Sequence, residues 1–309
     1  MTSDTQSSLA RFWDSDIMWS FRHSPVAIVA GLVVALIALA ALFAPWIAPT
    51  NPYDPAALNL MDGFTPPMEP NAFTGNSYIL GTDNQGRDVL STILYGTRIS
   101  LFVGLSAVLF AMVLGITLGL IAGYRGGWVD GLLMRIADVQ LSFPSILIAL
   151  LIFGVARGLI PPAYRETMAI WVLIVAIGLS DWVQFARVVR GATMVEKSKE
   201  YVQAARVVGA HPVKILIKHI LPNVMGPVLV IGTIGLALAI IAEATLSFLG
   251  VGVPPTQPSL GTLIRIGQQY LFSGEWWILL FPSIALLALA LSVNLLGDWL
   301  RDALNPRLR

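Results

Sequence analysis

An all-helical integral membrane protein, six helices threading a bilayer with both termini in the cytoplasm, is the fold class this sequence predicts. Three observations predict it. Hydrophobic residues make up 56% of the 309 and charged residues only 12%, with a mean hydropathy of +0.75, whereas roughly a quarter of a soluble domain is charged. Six segments each reach the about 20 apolar residues that a helix needs to cross the hydrocarbon core: 25–47, 98–123, 131–156, 168–188, 222–249 and 276–299. Of the 19 lysines and arginines, only Arg87, Arg98, Arg157, Arg165 and Arg265 fall in alternate loops, together with seven acids. The rest share the other side with the termini, which the positive-inside rule places in the cytoplasm.

Residues 1–24 form a cytoplasmic tail in which Phe12, Trp13, Met18, Trp19 and Phe21 fit a short helix at headgroup level. The first span, from Pro25, carries no charge and ends in Pro45-Trp46-Ile47-Ala48-Pro49. Its apolar run exceeds the h-region of a signal peptide and no small-residue cleavage pattern follows, so it reads as an uncleaved anchor. Residues 25–97 comprise this span and a periplasmic loop rich in Pro, Asn, Asp and Gly, a composition that predicts turns. Within that loop Asp83, Arg87 and Asp88 predict a turn with an ion-pair network, or a contact for an external protein. Residues 98–300 form a five-helix core, and 301–309 a cytoplasmic tail. Arg135 and Asp138, three apart, are placed to pair on one helix face. Trp276 and Trp277 open the last span as interfacial anchors.

The longest cytoplasmic connection, 189–221, carries a helical pattern from Lys199 to Val208. Tyr201, Ala204, Ala205 and Val208 follow the i, i+3, i+4, i+7 rule, while Gln203 and Arg206 point elsewhere. Ser198 is placed to cap the start, and Glu200 lies where the helix dipole favours an anion. Gly209 suits a left-handed stop, and Pro212 the first turn of a second short helix, Pro212 to Leu221. A face of small residues allows close approach. By pattern alone it serves equally as a docking surface for a partner or as a seat on the chain's own helix ends.

Glu243 stands as the only carboxylate well inside a predicted span, and a charge there is costly enough to demand a purpose. It serves either a structural pairing or, with Ser247, a translocation pathway. Cysteine is absent, which excludes disulfides, thiolate metal sites and cysteine nucleophiles. His211 and His219 lack carboxylate or cysteine partners at metal spacing and read as surface residues. No phosphate-binding Gly-x-x-x-x-Gly-Lys-Ser/Thr loop, Gly-x-Ser-x-Gly elbow or His-Glu-x-x-His helix occurs, which leaves no motif case for an enzyme or for ATP hydrolysis by this chain. The basic residues are explained by topology and lipid contact, so no nucleic-acid role is needed.

The pattern Glu-x-x-x-Ala-Ala-x-x-x-Gly at Glu200, Ala204, Ala205 and Gly209, followed by Ile220-Leu221-Pro222, resembles the cytoplasmic loop signature of binding-protein-dependent ABC importer permeases. Leu80-Gly81-Thr82-Asp83, Gly123-Tyr124-Arg125-Gly126-Gly127, Glu243-Ala244-Thr245-Leu246-Ser247-Phe248-Leu249-Gly250 and Gly297-Asp298-Trp299 are similar to the dipeptide/oligopeptide/nickel branch, so that the resemblance covers about 25–309. It implies a type I ABC importer permease bundle and decides for the docking reading. Glu200, Tyr201, Ala204, Ala205, Arg206 and Gly209 would then couple the chain to separate ATPase subunits. Further implied are a homologous second permease, two ABC ATPases that bind ATP and Mg, a periplasmic substrate-binding protein and a bacterial inner-membrane location. This chain would hold no cofactor or metal. The implied substrates are di- or oligopeptides, with nickel chelates, glutathione and opine-like conjugates as alternatives. Two rivals from other classes are an ion-coupled secondary transporter, for which no inverted repeat is found, and a membrane scaffold that recruits a soluble partner through the same loop.

Overall fold

The computed structural model describes residues 16–304 apart from 55 and 57. Among these residues it is all helix with irregular connections. Helix α1 (Asp16–Arg22) leads into α2 (Pro25–Leu42), which begins where Ser24 accepts a bond from the Ala27 N–H and Pro25 occupies the first turn. The short α3 (Ala44–Ile47) closes that span. Helix α4 (Val89–Arg125) follows the loop, then α5 (Gly127–Leu141), α6 (Ser145–Leu159), α7 (Arg165–Glu196) and α8 (Glu200–Val207). Helix α9 (Pro212–Ile215) runs through a π stretch (Leu216–Ile220) into α10 (Leu221–Phe248), and α11 (Leu260–Tyr270) and α12 (Trp277–Ala303) complete the chain.

Among the described residues five helical segments are long and apolar enough to cross a membrane, and α5 with α6 makes a sixth only as a broken span. The expected single helix over 131–156 is bent by 97° between its halves. The cause is Pro144, which disfavours helical backbone at Phe143 and caps α6 instead. Three helices also run well past their expected ends, among them α7, which continues to Glu196 beyond the expected 188. Helix α4 starts at Val89 because Asp88 accepts the Ser91 N–H at 2.9 Å, and its 37 residues, at about 1.5 Å each, exceed any bilayer. The second short helix does not stop at Leu221; it continues into the span as α10. The π stretch lies immediately before Pro222, where α-helical bonding is interrupted in any case.

Two helices, α4 and α7, form the centre of the bundle, and glycines set their distance. A Cβ on Gly115 would lie 2.5 Å from Phe185 Cβ, one on Gly119 2.6 Å from the Ala186 carbonyl oxygen, and one on Gly123 2.8 Å from that of Arg190. This i, i+4, i+8 stripe lets backbone meet backbone, the close packing by which membrane helices associate without a hydrophobic drive. Helix α7 also holds α5 with polar ties. Arg190 Nη2 contacts Asp130 Oδ2 at 2.6 Å, Arg187 pairs with Asp138, and the Gln140 amide donates to the Leu179 and Ser180 carbonyls at 2.9 Å. The expected Arg135–Asp138 pair is therefore replaced by a pairing between helices.

The first and last described helices meet at one end of the bundle. Phe21 of α1 packs edge-on against Trp299 of α12, with ring centroids 5.1 Å apart, and Trp299 Nε1 donates to Ser20 Oγ. Phe12 and Trp13 lie outside the described residues. The 48–88 segment covers the opposite end and is tightly organised. Asp83 and Arg87 form a buried ion pair at 2.6 Å, as the turn reading expects. Asp62 is buried and accepts bonds from Thr74, Asn76 and Tyr78. Burial alone would raise its pKa, yet these three donors hold the carboxyl below its ordinary value, and burial with the Asp62 bond pushes Tyr78 up to about 12. Trp277 is no interfacial anchor: it is 6% exposed and donates to the Thr82 carbonyl at 3.0 Å, so only Trp276 keeps an open face.

Candidate coupling site

Helix α8 is a short arm held at the same end of the bundle as the contact between α1 and α12. Its start is fixed by Glu196, the last residue of α7, which accepts Lys199 Nζ at 2.6 Å and the Tyr201 hydroxyl. Tyr201 in turn accepts Asn223 Nδ2 at 3.1 Å from α10. The bond to Glu196, aided by burial, raises the Tyr201 pKa to about 12, so its phenol stays a donor throughout the physiological range. Lys197 Nζ donates to the Gly123 carbonyl at 2.7 Å, and the Arg206 guanidinium lies 4.9 Å from the centre of the Tyr124 ring. Both contacts tie the arm to the end of α4. Ser198 does not cap α8: its hydroxyl turns back to the Val195 carbonyl, and Lys199 holds the cap position without a side-chain bond to the helix N–H groups.

The end of α8 is closed by Gly209 at φ 81°, with the Gly209 N–H bonded to Arg206 O at 2.9 Å and that of Ala210 to Ala205 O at 3.0 Å. This double closure needs a left-handed residue, which glycine supplies without a Cβ clash. His211 then accepts the Val213 N–H and Pro212 opens the next helix.

The face that α8 presents includes most of the expected stripe and extends beyond it. Val202 is fully buried, and Ala205 and Ala210 pack with it on the core, while Tyr201 is tied down by its hydroxyl. Outward lie Glu200, Ala204, Val207 and Val208, the two valines 89% and 86% exposed. Of the stripe Tyr201, Ala204, Ala205 and Val208, three residues are exposed and only Ala205 leans half-buried on the core. In a helix of eight residues with valines at both Val202 and Val207, periodicity alone does not say which is seated. Two neighbouring valines left bare on a polar arm are an exposed apolar patch of the kind that a partner covers.

The other intramembrane candidates lie near the opposite end. Glu243 and Ser247 are enclosed by the chain itself, 0% and 1% exposed. Ser100 of α4 and Ser247 each donate to a Glu243 carboxylate oxygen at 2.7 Å. The same two hydroxyls accept the Leu260 and Val253 N–H groups, which knits α4, α10 and α11 together. Pairing within the bundle is what the geometry gives; neither residue lines a surface in this conformation. A second carboxylate inside a span was passed over by the sequence reading: Asp181, midway along α7, flanks a narrow groove with Gln184 and Phe185. No cluster of three or more His, Asp or Glu able to hold a metal occurs among the described residues.

Known proteins resemble this chain along its whole length. Residues 115–309 match the family model "Binding-protein-dependent transport system inner membrane component", and 11–67 match "N-terminal TM domain of oligopeptide transport permease C". The di/tripeptide transport system permease DppC of Pseudomonas aeruginosa is 37% identical over 98% of this chain and 93% of its own. The oligopeptide permease OppC of Bacillus subtilis is also 37% identical, over 95% and 90%, and the glutathione permease GsiD of Pectobacterium atrosepticum 38%, over 94% and 89%. Among solved structures, a chain of the MetNI methionine ABC transporter in inward-facing conformations matches with a TM-score of 0.54 at 21% identity, over 69% of this chain and 96% of that one, a likeness of fold alone. With the family model spanning well over half of its residues and relatives above 30% identity from end to end, this multi-pass membrane chain belongs to the binding-protein-dependent transport system inner membrane component family.

Proposed function

We propose that the chain is one permease half of an ATP-driven importer of small peptides. The observation that carries the substrate is its 37% identity, nearly end to end, to permeases named for di/tripeptides and oligopeptides. A second reading, glutathione, is favoured by the 38% identity to a glutathione permease, and the two share a peptide backbone and charged termini. In this proposal the end that carries α8 and both termini faces the cytoplasm, in keeping with the excess of lysine and arginine there. A homologous second permease completes the pathway, two ATPases dock below, and a binding protein delivers substrate to the 48–88 side.

Coupling follows from the build of α8. Glu200, Ala204, Val207 and Val208 form the contact, while Tyr201, Ala205, Arg206 and Gly209 fix the arm that carries it. An arm seated on α4, α7 and α10 transmits a push from the ATPases as a shift of those helices, the two-state change that alternating access requires. ATP and Mg act in the partner subunits, and this chain supplies no catalytic group.

The test is uptake of a labelled dipeptide by the full complex in proteoliposomes. Uptake that needs ATP and resists uncouplers is expected; uptake abolished by an uncoupler would indicate ion coupling instead. In the same assay Gly209→Val should separate ATP hydrolysis from uptake, because a β-branched residue in the left-handed region costs about 1–2 kcal/mol and displaces the closure of α8. Undiminished uptake by that variant would count against the assigned role of the arm.

A further inference from the structure

At the end of the bundle that carries 48–88, three arginines from three helices converge on one pocket of about 120 Å³. Arg157 comes from the last turn of α6, Arg165 opens α7, and Arg265 sits on α11. Glu166 is the acidic group on its wall, and the loop through Gly250, Gly252 and Pro254–Pro255 closes the far side. None of the three arginines takes part in an ion pair among the described residues. Arg165 Nε is spent on the Ile160 carbonyl at 3.1 Å. Arg265 Nε is buried with no hydrogen-bond partner at all, and its guanidinium runs so close to Gly250 that a Cβ there would lie 3.1 Å from Nη1.

A buried guanidinium N–H without an acceptor is costly, and the half-buried Arg165 beside it raises the cost, while Arg157 is exposed. An anionic oxygen ligand relieves both at once, since guanidinium forks match carboxylate geometry. The size of the pocket narrows the choice. A lipid phosphodiester carries bulky groups on both sides, whereas a carboxylate that ends its molecule enters a small pocket closed at its far side.

Resting on the peptide reading above, we infer that Arg157, Arg165 and Arg265 form a carboxylate site that takes the C-terminus of the peptide as it enters the permease from the binding protein. Arg265, whose Nε is buried without an acceptor, is the residue on which specificity for a free carboxylate turns.

The experiment uses the complete complex with its binding protein in proteoliposomes of neutral lipid, and again with a fifth of the lipid anionic. Wild type, Arg265→Gln and Arg265→Lys are compared for uptake of a labelled dipeptide, and peptide binding to the isolated binding protein is measured alongside. The expected result is that Arg265→Gln lowers uptake roughly tenfold or more in both lipids, as loss of a charge-assisted bond predicts. Arg265→Lys should recover part of it, and all three complexes should assemble and hydrolyse ATP equally. Equal uptake by wild type and Arg265→Gln overturns the site, as does a defect confined to anionic vesicles, which marks a lipid site. A wild-type complex that carries no peptide in either lipid overturns the peptide reading, and the inference with it.

Discussion

Replacing Val207 and Val208 together by aspartate should leave the permease folded, inserted and stable, yet lower ATP-driven uptake at least about tenfold, the scale of losing the centre of an interface. The folding half of the expectation rests on exposure: both side chains point away from the protein at 89% and 86% exposure, so the charges meet water in the isolated chain. The functional half rests on what the patch is for. If an ATPase cleft covers these valines, two buried carboxylates without partners must be desolvated there, which costs more than the lost apolar contact. The control is Val202→Asp, one turn back on the inward side. Val202 is fully buried among Ala205, Ala210 and Ile215, so that change should damage the protein itself. Detergent-solubilised yield and thermal stability separate the two cases. Uptake unchanged in the double aspartate variant would show that the outward side of α8 contacts nothing that matters.

The second large effect concerns the fold. Gly119→Leu should destabilise the bundle by at least about 3 kcal/mol, the upper range of overpacking, and markedly reduce recovered protein. The first added carbon already lies 2.6 Å from the Ala186 carbonyl oxygen, with Val189 Cβ at 2.8 Å. Backbone cannot step aside as a flexible side chain can, so α4 and α7 must separate along their whole contact. Gly191→Leu is the control on α7, where nothing lies within 4 Å of an added Cβ. It should leave melting temperature and yield close to those of wild type; an equal loss in both variants would show that helix propensity, not close approach, governs these positions.

How much of this was readable in the residues varies by feature. The spans were, because apolar length is a strong signal and every segment expected to be apolar is helical. Their ends were less so. The start of α4 depends on Asp88 capping a turn nine residues before the first long apolar stretch, and a charge there looked like loop. The break at Pro144 was present in Ser142-Phe143-Pro144, but composition averaged over a window hides one proline. Helix α11 was missed altogether, since Leu260–Tyr270 is too short to span and starts from the proline-rich 254–258 stretch. At the site, Gly209 and the length of α8 followed from local rules, as positive φ and capping always do. The seated side did not, because Val202 and Val207 are identical as letters and only the ends of α4 and α10 determine which is covered. Asp181 lies within 168–188 and is as legible in the residues as Glu243.

The central claim, that the bare side of α8 faces the cytoplasm and is covered by an ATPase, is open to one direct measurement. The chain contains no cysteine, so Val207→Cys places a single thiol on the patch. A membrane-impermeant maleimide should label it in inside-out vesicles and not in right-side-out ones, and bound ATPase subunits should protect it. Labelling from the outside, or equal labelling with and without the ATPases, would contradict the account.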